Sequence, residues 1–505
     1  MYSKSLKVGK TIVEIKISEE PYHADKDFFL FGSVINIECA DKTSLSSFAN
    51  SLKGYWVRID IAQNSITLTS DILGGYRVYW SKIEGKILVS DDYNFILEKL
   101  ERNISKNENE YIYWQKHRYT TGQSTFINEI KKLSPASILE IKDNSITELS
   151  YFNDLERTPS IINHKTAVEE DLDDTFKCIK EKNRPVLLFF SGGKDSCLLL
   201  NYIIKYNIPY KAIYFKLNPI SKIGAKDVAR VRAISQSLKI PLEELQIDLG
   251  EVPQNKIDEI VNKQLFDRHF SILHYIGTSM VREKYGKDYI IINGQSSDSI
   301  LSFGPSENSL MSYFRRLILY RPNSFRSIIG LFLLNIKTKR KFILPKSDTQ
   351  KLIALFDEFK YSRVLDDKMT DSYMDYISDY LQRKTAHLKS FYSKEMYVKI
   401  LSFCQGSDNQ VVVNSSKQEK METIMPFATP NIVYSTVRYK NEDLEISRPK
   451  YIIDMILEEK FLFYYNDLRL QKIDINDVHS TIKNNAYDEK TSRFYRRVNQ
   501  LLNTK

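Results

Sequence analysis

The spacing of hydrophobic positions along the chain changes near residue 155. Before that point, short segments alternate apolar and polar residues, as strands with one buried face do. We predict such strands at residues 10–17, 55–61, 65–70 and 78–80. The Gly-Gly and Glu-Gly steps between the later segments indicate turns, so antiparallel β-sheet is the expected structure of this part.

From residue 165 onward, continuous apolar runs alternate with segments of helical periodicity. The strands are predicted at residues 185–190, 211–215, 245–248 and 289–292, and the helices between them at residues 167–182, 227–238 and 271–285. This β-α-β-α order predicts a doubly wound parallel sheet, whose ligand site lies beyond the carboxyl ends of the strands. The remainder, from about residue 305, is predicted to be mostly helical.

The predicted fold class is therefore α/β, with an antiparallel β-rich domain followed by a parallel-sheet domain. We place the first domain at residues 1–155 and the second at residues 165–505, joined by a polar crossing that contains Pro159. A chain of 505 residues is long enough for two to four domains. Its hydrophobic content of 42% and charged content of 27% are typical of a globular protein in water.

The charge and the cysteine content of the chain indicate which partners and which cellular location to expect. The net charge of +9 is modest for this length, and basic clusters occur at residues 337–341 and 493–497. We interpret these clusters as solvated surface, with attraction of an acidic peptide or a nucleic acid as the alternative. The 4 cysteines form neither a disulfide framework nor zinc-binding pairs, which favours a cytoplasmic location.

The longest apolar run, at residues 328–336, is far too short to span a bilayer. We interpret it as a buried helix and expect no membrane partner. Nucleic acid is a disfavoured partner as well, because the chain has no zinc-binding cysteine pairs and no catalytic cysteine pair.

The most informative motif follows the predicted strand at residues 185–190 and precedes a helical segment. It consists of Ser191, Gly192, Gly193, Lys194, Asp195 and Ser196. Glycines let backbone N–H groups approach an anion closely, and a helix N-terminus adds a partial positive charge. Lys194 can add a point charge, and Asp195 is placed to hold Mg²⁺ against a pyrophosphate. The motif is not a Walker loop, because Asp195 stands where that motif needs Ser or Thr.

A second loop, at residues 293–299, follows the predicted strand at 289–292. Since both loops follow parallel strands, Asp195 and Asp298 are expected to face each other across a triphosphate and bind one or two Mg²⁺ ions. The other predicted ATP contacts lie in these loops or at strand ends: Phe190, Phe215, Asn293, Gly294 and Gln295.

The SGGxDS motif resembles that of the PP-loop ATP pyrophosphatases, and further segments resemble the asparagine synthetases in the same order along the chain. These segments are residues 71–80 (DxxGxxPLYY strand pair), 90–92 (SE element), 226–233 (helix after the second strand), 293–299 (GxGSDE loop), 421–427 (IExRxPF) and 450–453 (K-x-I-L). The resemblance implies a degenerate Ntn-type glutamine-amidotransferase-like domain before a HUP-like ATP pyrophosphatase domain. It also implies that Lys450 is a catalytic residue, which neutralises charge on phosphate and on the tetrahedral carbon.

Several positions depart from the pattern of the asparagine synthetases. Tyr2 stands where glutamine-hydrolysing members expose a cysteine, so glutaminase activity is not expected and the first domain is interpreted as a structural relic or docking surface. Gln295 replaces a Glu or Tyr that helps to deprotonate the amine, and an amide cannot act as that base. Ser299 replaces an acidic residue, and Ile424 replaces an arginine.

Two branches of this family lack the cysteine: the β-lactam-forming synthetases and the lasso-peptide macrolactam cyclases. Resemblance to them implies an AMP-forming ligase that adenylates a carboxylate for attack by an amine, with ATP and Mg²⁺ as cofactors. The favoured substrate is a lasso-type peptide in natural product biosynthesis, with a precursor-processing protein as a possible partner. The alternatives are an amide or β-lactam synthetase acting on a small amino or sugar acid, and a catalytically dead nucleotide-binding subunit.

Overall fold

The structure is a computed structural model of the whole chain. It describes residues 1–460 apart from residues 26, 41–42, 84, 101–103, 118–119, 143–144, 153–160, 219–221, 249–250, 254, 257–258, 260–270, 302–316, 319, 322–323, 339–346, 358–366, 400, 402–407 and 439–449. The predicted basic cluster at residues 493–497, most of the cluster at 337–341 and most of the predicted domain crossing lie outside the described residues. The division into domains at 155 and 165 therefore stays a prediction.

The first part of the chain forms two β-sheets with short helices between their strands. The strands are β1 (Tyr2–Val8), β2 (Thr11–Ile17), β3 (His23–Ala24), β4 (Phe28–Val34), β5 (Gly54–Ile61), β6 (Ser65–Ser70), β7 (Tyr79–Ile83), β8 (Lys86–Ser90), β9 (Ile130–Lys132), β10 (Ser137–Lys142) and β11 (Ser145–Ser150). The helices are α1 (Leu45–Ser51), α2 (Tyr93–Leu100) and α3 (Glu108–His117). One sheet has the order β1-β2-β8-β7-β9 and the other β11-β10-β6-β5-β4-β3.

The alternation in the sequence corresponds to alternation in burial. In β2, Val13, Ile15 and Ile17 are buried, and the residues between them are more exposed. Antiparallel pairing was expected throughout, but β2 and β8 pair in parallel, with Val13 opposite Ile87. The chain between these two strands builds much of the other sheet, so the connection is long enough for the parallel direction.

The second part is built around a parallel sheet. Its strands are β12 (Val186–Phe189), β13 (Tyr210–Asn218), β14 (Leu242–Asp248), β15 (Ile290–Ile292) and β16 (Glu422–Ile424), in the order β14-β13-β12-β15-β16. Every neighbouring pair of these strands is parallel. The helices along this part are α4 (Ile161–Glu181), α5 (Lys194–Lys205), α6 (Lys222–Leu238), α7 (Ser271–Tyr285) and α8 (Ser297–Ile300). The predicted α/β fold class is confirmed, and β16 is the one strand of this sheet that the sequence did not indicate.

The remaining described elements are helices. They are α9 (Phe325–Thr338), α10 (Asp348–Asp357), α11 (Asp367–Thr385), α12 (Phe391–Lys399), α13 (Asp408–Gln418), α14 (Pro430–Arg438) and α15 (Tyr451–Lys460). The apolar run at residues 328–336 lies in α9, as expected, but its interpretation as a buried helix was wrong. Ser327 and Gly330 face the protein, whereas Ile328, Ile329, Phe332 and Leu333 are exposed. None of the described helices combines the length and the apolar character that a bilayer crossing requires.

The two parts of the chain share one hydrophobic cluster. Trp56 and Phe31 of the first part belong to it together with Phe176 and Leu198 of the second. Phe152 stacks on Tyr434 of α14 with 5.6 Å between the ring centroids. The side-chain amide of Gln410 donates hydrogen bonds of 2.6 and 3.0 Å to the carbonyl oxygens of Gly74 and Gly75. These contacts hold the first part firmly against the helical remainder.

Candidate nucleotide-binding site

The loop between β12 and α5 is shaped by Gly192. Its φ of 66° is one that side chains rarely adopt, and a Cβ there would meet Cγ2 of Val231 at 3.0 Å. Two hydrogen bonds close the loop: the N–H of Gly193 donates to Oγ of Ser191 at 3.3 Å, and Oγ of Ser196 donates to the carbonyl of Gly193 at 3.1 Å. Gly193 caps α5, so the N-terminus of a 12-residue helix begins directly at the loop.

The loop after β15 lies beside this first loop. The register pairs Val186 of β12 with Ile290 of β15, which brings the carboxyl ends of the two strands together. A Cβ on Gly294 would lie 3.3 Å from Cβ of Asp195, so the two loops touch. Ser296 adopts a φ of 75°, which turns the chain into the short helix α8 that carries Asp298.

Lys450 connects the two loops. Its Nζ lies 2.5 Å from Oδ2 of Asp195 and 2.8 Å from Oδ1 of Asp298. Asp195 is largely buried and Asp298 is mostly exposed, so the ammonium bridges an inner and an outer carboxylate. The φ of Lys450 is 60°, and its carbonyl accepts the hydrogen bond from the N–H of Asp454 that begins α15.

Burial and charge act in opposite directions on this cluster. Burial raises the pKa of the Asp195 carboxyl, although the ammonium of Lys450 opposes that shift. Burial lowers the pKa of Lys450, but the charges of Asp195 and Asp298 outweigh it, so the pKa lies above its usual value. The lysine is therefore held as a cation at neutral pH.

The two carboxylates fit a divalent cation. A positive charge already lies between them, and Oδ1 of Asp195 is buried with no hydrogen-bond partner among the described residues. Mg²⁺ is commonly held by one or two carboxylates together with phosphate oxygens. The residues present can therefore hold Mg²⁺ together with a bound triphosphate.

Lys194 is held by a residue that the sequence did not indicate. Its Nζ lies 2.6 Å from Oδ2 of Asp454, which stands one turn after Lys450 on α15. Helix α15 and the residue before it thus place Lys450 beside Asp195 and Asp454 beside Lys194. Residues four positions apart lie on the same side of a helix, so Asp454 lies on the side of Lys450. The sequence alone does not show that this side of α15 approaches the loop.

The two loops border a cavity of about 420 Å³. Most of the predicted residues line it: Phe190, Ser191, Gly193, Asp195, Ser196, Phe215, Asn293, Gly294, Gln295, Asp298 and Lys450. Gly192 and Lys194 lie outside that lining, where the first shapes the loop and the second pairs with Asp454.

The cavity also contains residues that sequence reasoning missed, among them Tyr214 and His274. Burial lowers the pKa of His274 to about 4, so its imidazole is neutral at pH 7. A second cavity, of about 480 Å³, lies between α4 and α14 and is lined by none of the predicted residues. The smaller cavity is the candidate site because both loops and the bridged carboxylates lie on its wall.

No protein-family model matches the sequence, and no curated protein is similar to it in sequence. Solved structures similar to this chain include the glutamine PRPP amidotransferase from B. subtilis complexed with ADP and GMP, at 11% identity and a TM-score of 0.18. That match covers 38% of this chain and 46% of the amidotransferase, so the chain spans less than half of that protein.

Two NAD synthetases are similar over longer parts of their own chains. The NH3-dependent enzyme from Campylobacter jejuni has 15% identity and a TM-score of 0.22, and the match covers 45% of this chain and 96% of that one. The glutamine-dependent enzyme from Acinetobacter baumannii, in complex with ADP, has 11% identity and a TM-score of 0.21, with 70% of this chain and 80% of that one covered.

Proposed function

We propose that this protein is an ATP-dependent ligase that converts a carboxylate into an acyl-adenylate, releases pyrophosphate, and joins the acyl group to an amine without using glutamine. The observation that carries the proposal is the bridge from Lys450 to Asp195 and Asp298 beside the loop at residues 191–196. A phosphate-binding loop, two carboxylates and a cation together provide what cleavage between the α and β phosphates requires.

The chain's own residues divide the work between binding and charge compensation. Backbone N–H groups at the start of α5 would bind phosphate oxygens, as helix N-termini do. Asp195 and Asp298 would hold Mg²⁺, which, when bound, neutralises charge on the departing pyrophosphate. Lys450 would then leave the carboxylates and place its ammonium against the phosphate or the tetrahedral carbon, where negative charge develops.

The attacking amine must lose a proton, and Gln295 cannot accept it. His274 lines the same cavity with a neutral imidazole. The burial that keeps this imidazole neutral also makes it a weak base, so His274 is not assigned as the proton acceptor.

We favour a peptide as the acyl substrate and formation of a lasso-type macrolactam as the reaction. A cavity of about 420 Å³ lies at the small end of ligand pockets, so ATP would fill most of it and the acid must reach in from beyond its rim. Holding the amine and the acyl carbon of one peptide together supplies rate without a second substrate. An amide or β-lactam synthetase for a small acid is the second candidate, and a nucleotide-binding subunit without turnover is the third, motivated by Gln295 and Ser299.

The test is turnover of α-labelled ATP with Mg²⁺, separating AMP from ADP. The protein is assayed alone, with pooled small amino and sugar acids, and with short peptides that carry Asp or Glu. Asp195→Ala should abolish AMP formation, because it removes the buried carboxylate of the cluster. Asp379→Ala is the matched control, because Asp379 is an exposed carboxylate that pairs with Arg383 on the surface of α11.

AMP and pyrophosphate that appear only with peptides would support the macrolactam reaction. A response to small acids would move the assignment to the second candidate. ATP binding without AMP under every condition would contradict the ligase and favour the nucleotide-binding subunit.

A further inference from the structure

Helix α9 presents five large apolar side chains to the outside. Phe325 and Phe332 are 76% and 65% exposed, and Ile328, Ile329 and Leu333 are exposed as well. These positions are spaced i, i+3, i+4, i+7 and i+8, which places them on one side of an α-helix. We call these five residues the apolar face of α9. An exposed patch of this kind on a protein surface marks an interaction site.

The orientation of α9 is set by specific contacts on its other side. Ser324 precedes the helix, and its Oγ accepts a hydrogen bond of 3.1 Å from the N–H of Ser327. Oγ of Ser327 is buried and donates to the carbonyl oxygens of Leu317 and Arg321, at 3.1 and 2.5 Å. The small residues therefore hold the helix to the protein, and the apolar face points outward as a consequence of that packing.

The sequence around α9 is strongly basic. Residues 308–347 contain no Asp or Glu and nine basic residues, namely Arg315, Arg316, Arg321, Arg326, Lys337, Lys339, Arg340, Lys341 and Lys346. Among the described residues, Arg326 of α9 and Arg321, which precedes the helix, are exposed. A partner that binds this surface should therefore present both apolar groups and negative charge.

We propose that the apolar face of α9 docks on an anionic phospholipid surface, with the helix lying in the plane of the membrane interface. A helix with one apolar face and basic flanks binds in this way, because apolar burial and attraction to acidic headgroups add together. A second copy of this chain fits less well, since residues 308–347 contain no Asp or Glu that could pair with the basic residues of another copy. The expectation of no membrane partner rested on the absence of a spanning segment, which this mode of docking does not need.

The experiment is co-sedimentation of the full-length protein with vesicles of phosphatidylcholine, with or without about 30 mol% phosphatidylglycerol. We expect binding to the anionic vesicles that weakens as salt is raised. The double variant Phe325→Gln/Phe332→Gln should bind at least about tenfold more weakly, because both rings supply buried apolar area. The matched control is Leu149→Gln/Ile162→Gln, which removes two side chains that are 70% and 66% exposed elsewhere and should leave binding unchanged.

Folding of the variants is checked by circular dichroism and thermal unfolding, which should not change because the substituted rings lie on the surface. A second readout places a fluorophore in the helix: Phe332→Trp should be quenched by brominated lipid in the anionic vesicles. Failure to bind anionic vesicles would overturn the proposal. So would equal binding by the Phe325→Gln/Phe332→Gln variant, or a dimer in light scattering that this variant abolishes, which would make a second copy the occupant.

Discussion

At the scale of single residues, Lys450 shows how much one side chain depends on its surroundings. Lys450 has a φ of 60° and directly precedes α15. Its two carboxylate partners, Asp195 and Asp298, come from two other stretches of the chain. In a sequence with 73 Lys and Arg residues, only the short K-x-I-L resemblance at residues 450–453 distinguishes Lys450 from a surface lysine. Its position between Asp195 and Asp298 is what makes a catalytic role the natural proposal.

Lys450→Met is expected to have opposite effects on cation binding by the nucleotide-free protein and on the rate of AMP formation. Without the ammonium, Asp195 and Asp298 repel each other, so divalent cations should bind more tightly in the absence of nucleotide. AMP formation should fall by about 100-fold or more, because the cation that meets the developing charge is gone. Calorimetry with Mg²⁺ or Mn²⁺ and the labelled ATP assay measure the two effects.

The control for this prediction is Lys142→Met, which removes an exposed lysine on β10 and should change neither quantity. A Lys450→Met protein that turns over ATP at the normal rate would rule out the proposed role of this residue.

At the scale of elements, the strand-loop-helix unit from β12 to α5 is specified locally. The apolar run that forms β12, the two glycines and the start of α5 follow one another without interruption. Predicted strand and helix ranges in this region agree with the structure to within a few residues at their ends, with the widest margin at the start of α4 and of α6. Strand β16 was missed because only one of its three residues, Ile424, is apolar, so the segment shows neither an apolar run nor a period. Pairing with β15 creates it.

Gly192→Ala and Gly193→Ala should differ although the two glycines are adjacent. At Gly192 the alanine would adopt a positive φ and press on Val231, so we expect a loss of about 1–2 kcal/mol of unfolding free energy. At Gly193 φ is −78° and the nearest atom to an added Cβ is Oγ of Ser191, so the fold should be nearly unaffected. Chemical denaturation measures both variants.

ATP binding, by contrast, is the property that we expect Gly193→Ala to change. Gly193→Ala places a methyl group on the wall of the cavity and should weaken ATP binding in a protein of normal stability. Equal stability of the two alanine variants would contradict the strained geometry at Gly192.

At the scale of the whole molecule, the two parts of the chain are joined through buried polar contacts as well as the shared cluster. Lys53 lies 2.9 Å from Asp171 of α4, and both side chains are almost fully buried. Glu110 of α3 accepts hydrogen bonds from the hydroxyls of Thr121 and of Tyr376 on α11. Buried charges of this kind make the stability of the whole protein depend on pH.

Lys132 is expected to contribute to this pH dependence above pH 7. Burial lowers its pKa to about 7, while an unfolded chain holds the proton up to its usual value of 10.5. Between these values the unfolded state binds more protons, so the contribution of Lys132 to stability increases as the pH rises. Relative to Lys132→Met, the wild-type protein should gain about 1 kcal/mol of unfolding free energy per pH unit within that window.

The measurement is urea denaturation of both proteins at several pH values above 7. The difference between them cancels the shared groups apart from Glu110, where burial raises the pKa and the charge of Lys132 opposes that shift. Lys142→Met, on the surface, should show no such slope. A difference that stays constant with pH would mean that Lys132 keeps its ordinary pKa.

The sequence by itself determined the α/β class, the strand order along the second part of the chain, and the positions of the two loops that border the cavity. These features depend on the period of apolar residues and on the φ that glycine permits, and both are properties of neighbouring residues. Most of the predicted nucleotide contacts are therefore found on one cavity wall.

Only the tertiary structure decided how distant residues meet. Lys450 reaches Asp195 across 255 positions of the chain, and Asp454 reaches Lys194 across 260. The parallel pairing of β2 with β8 and the outward apolar face of α9 are likewise set by what packs beside each element. Local periodicity states that one side of a helix is apolar, but only the neighbouring chain determines which way that side points.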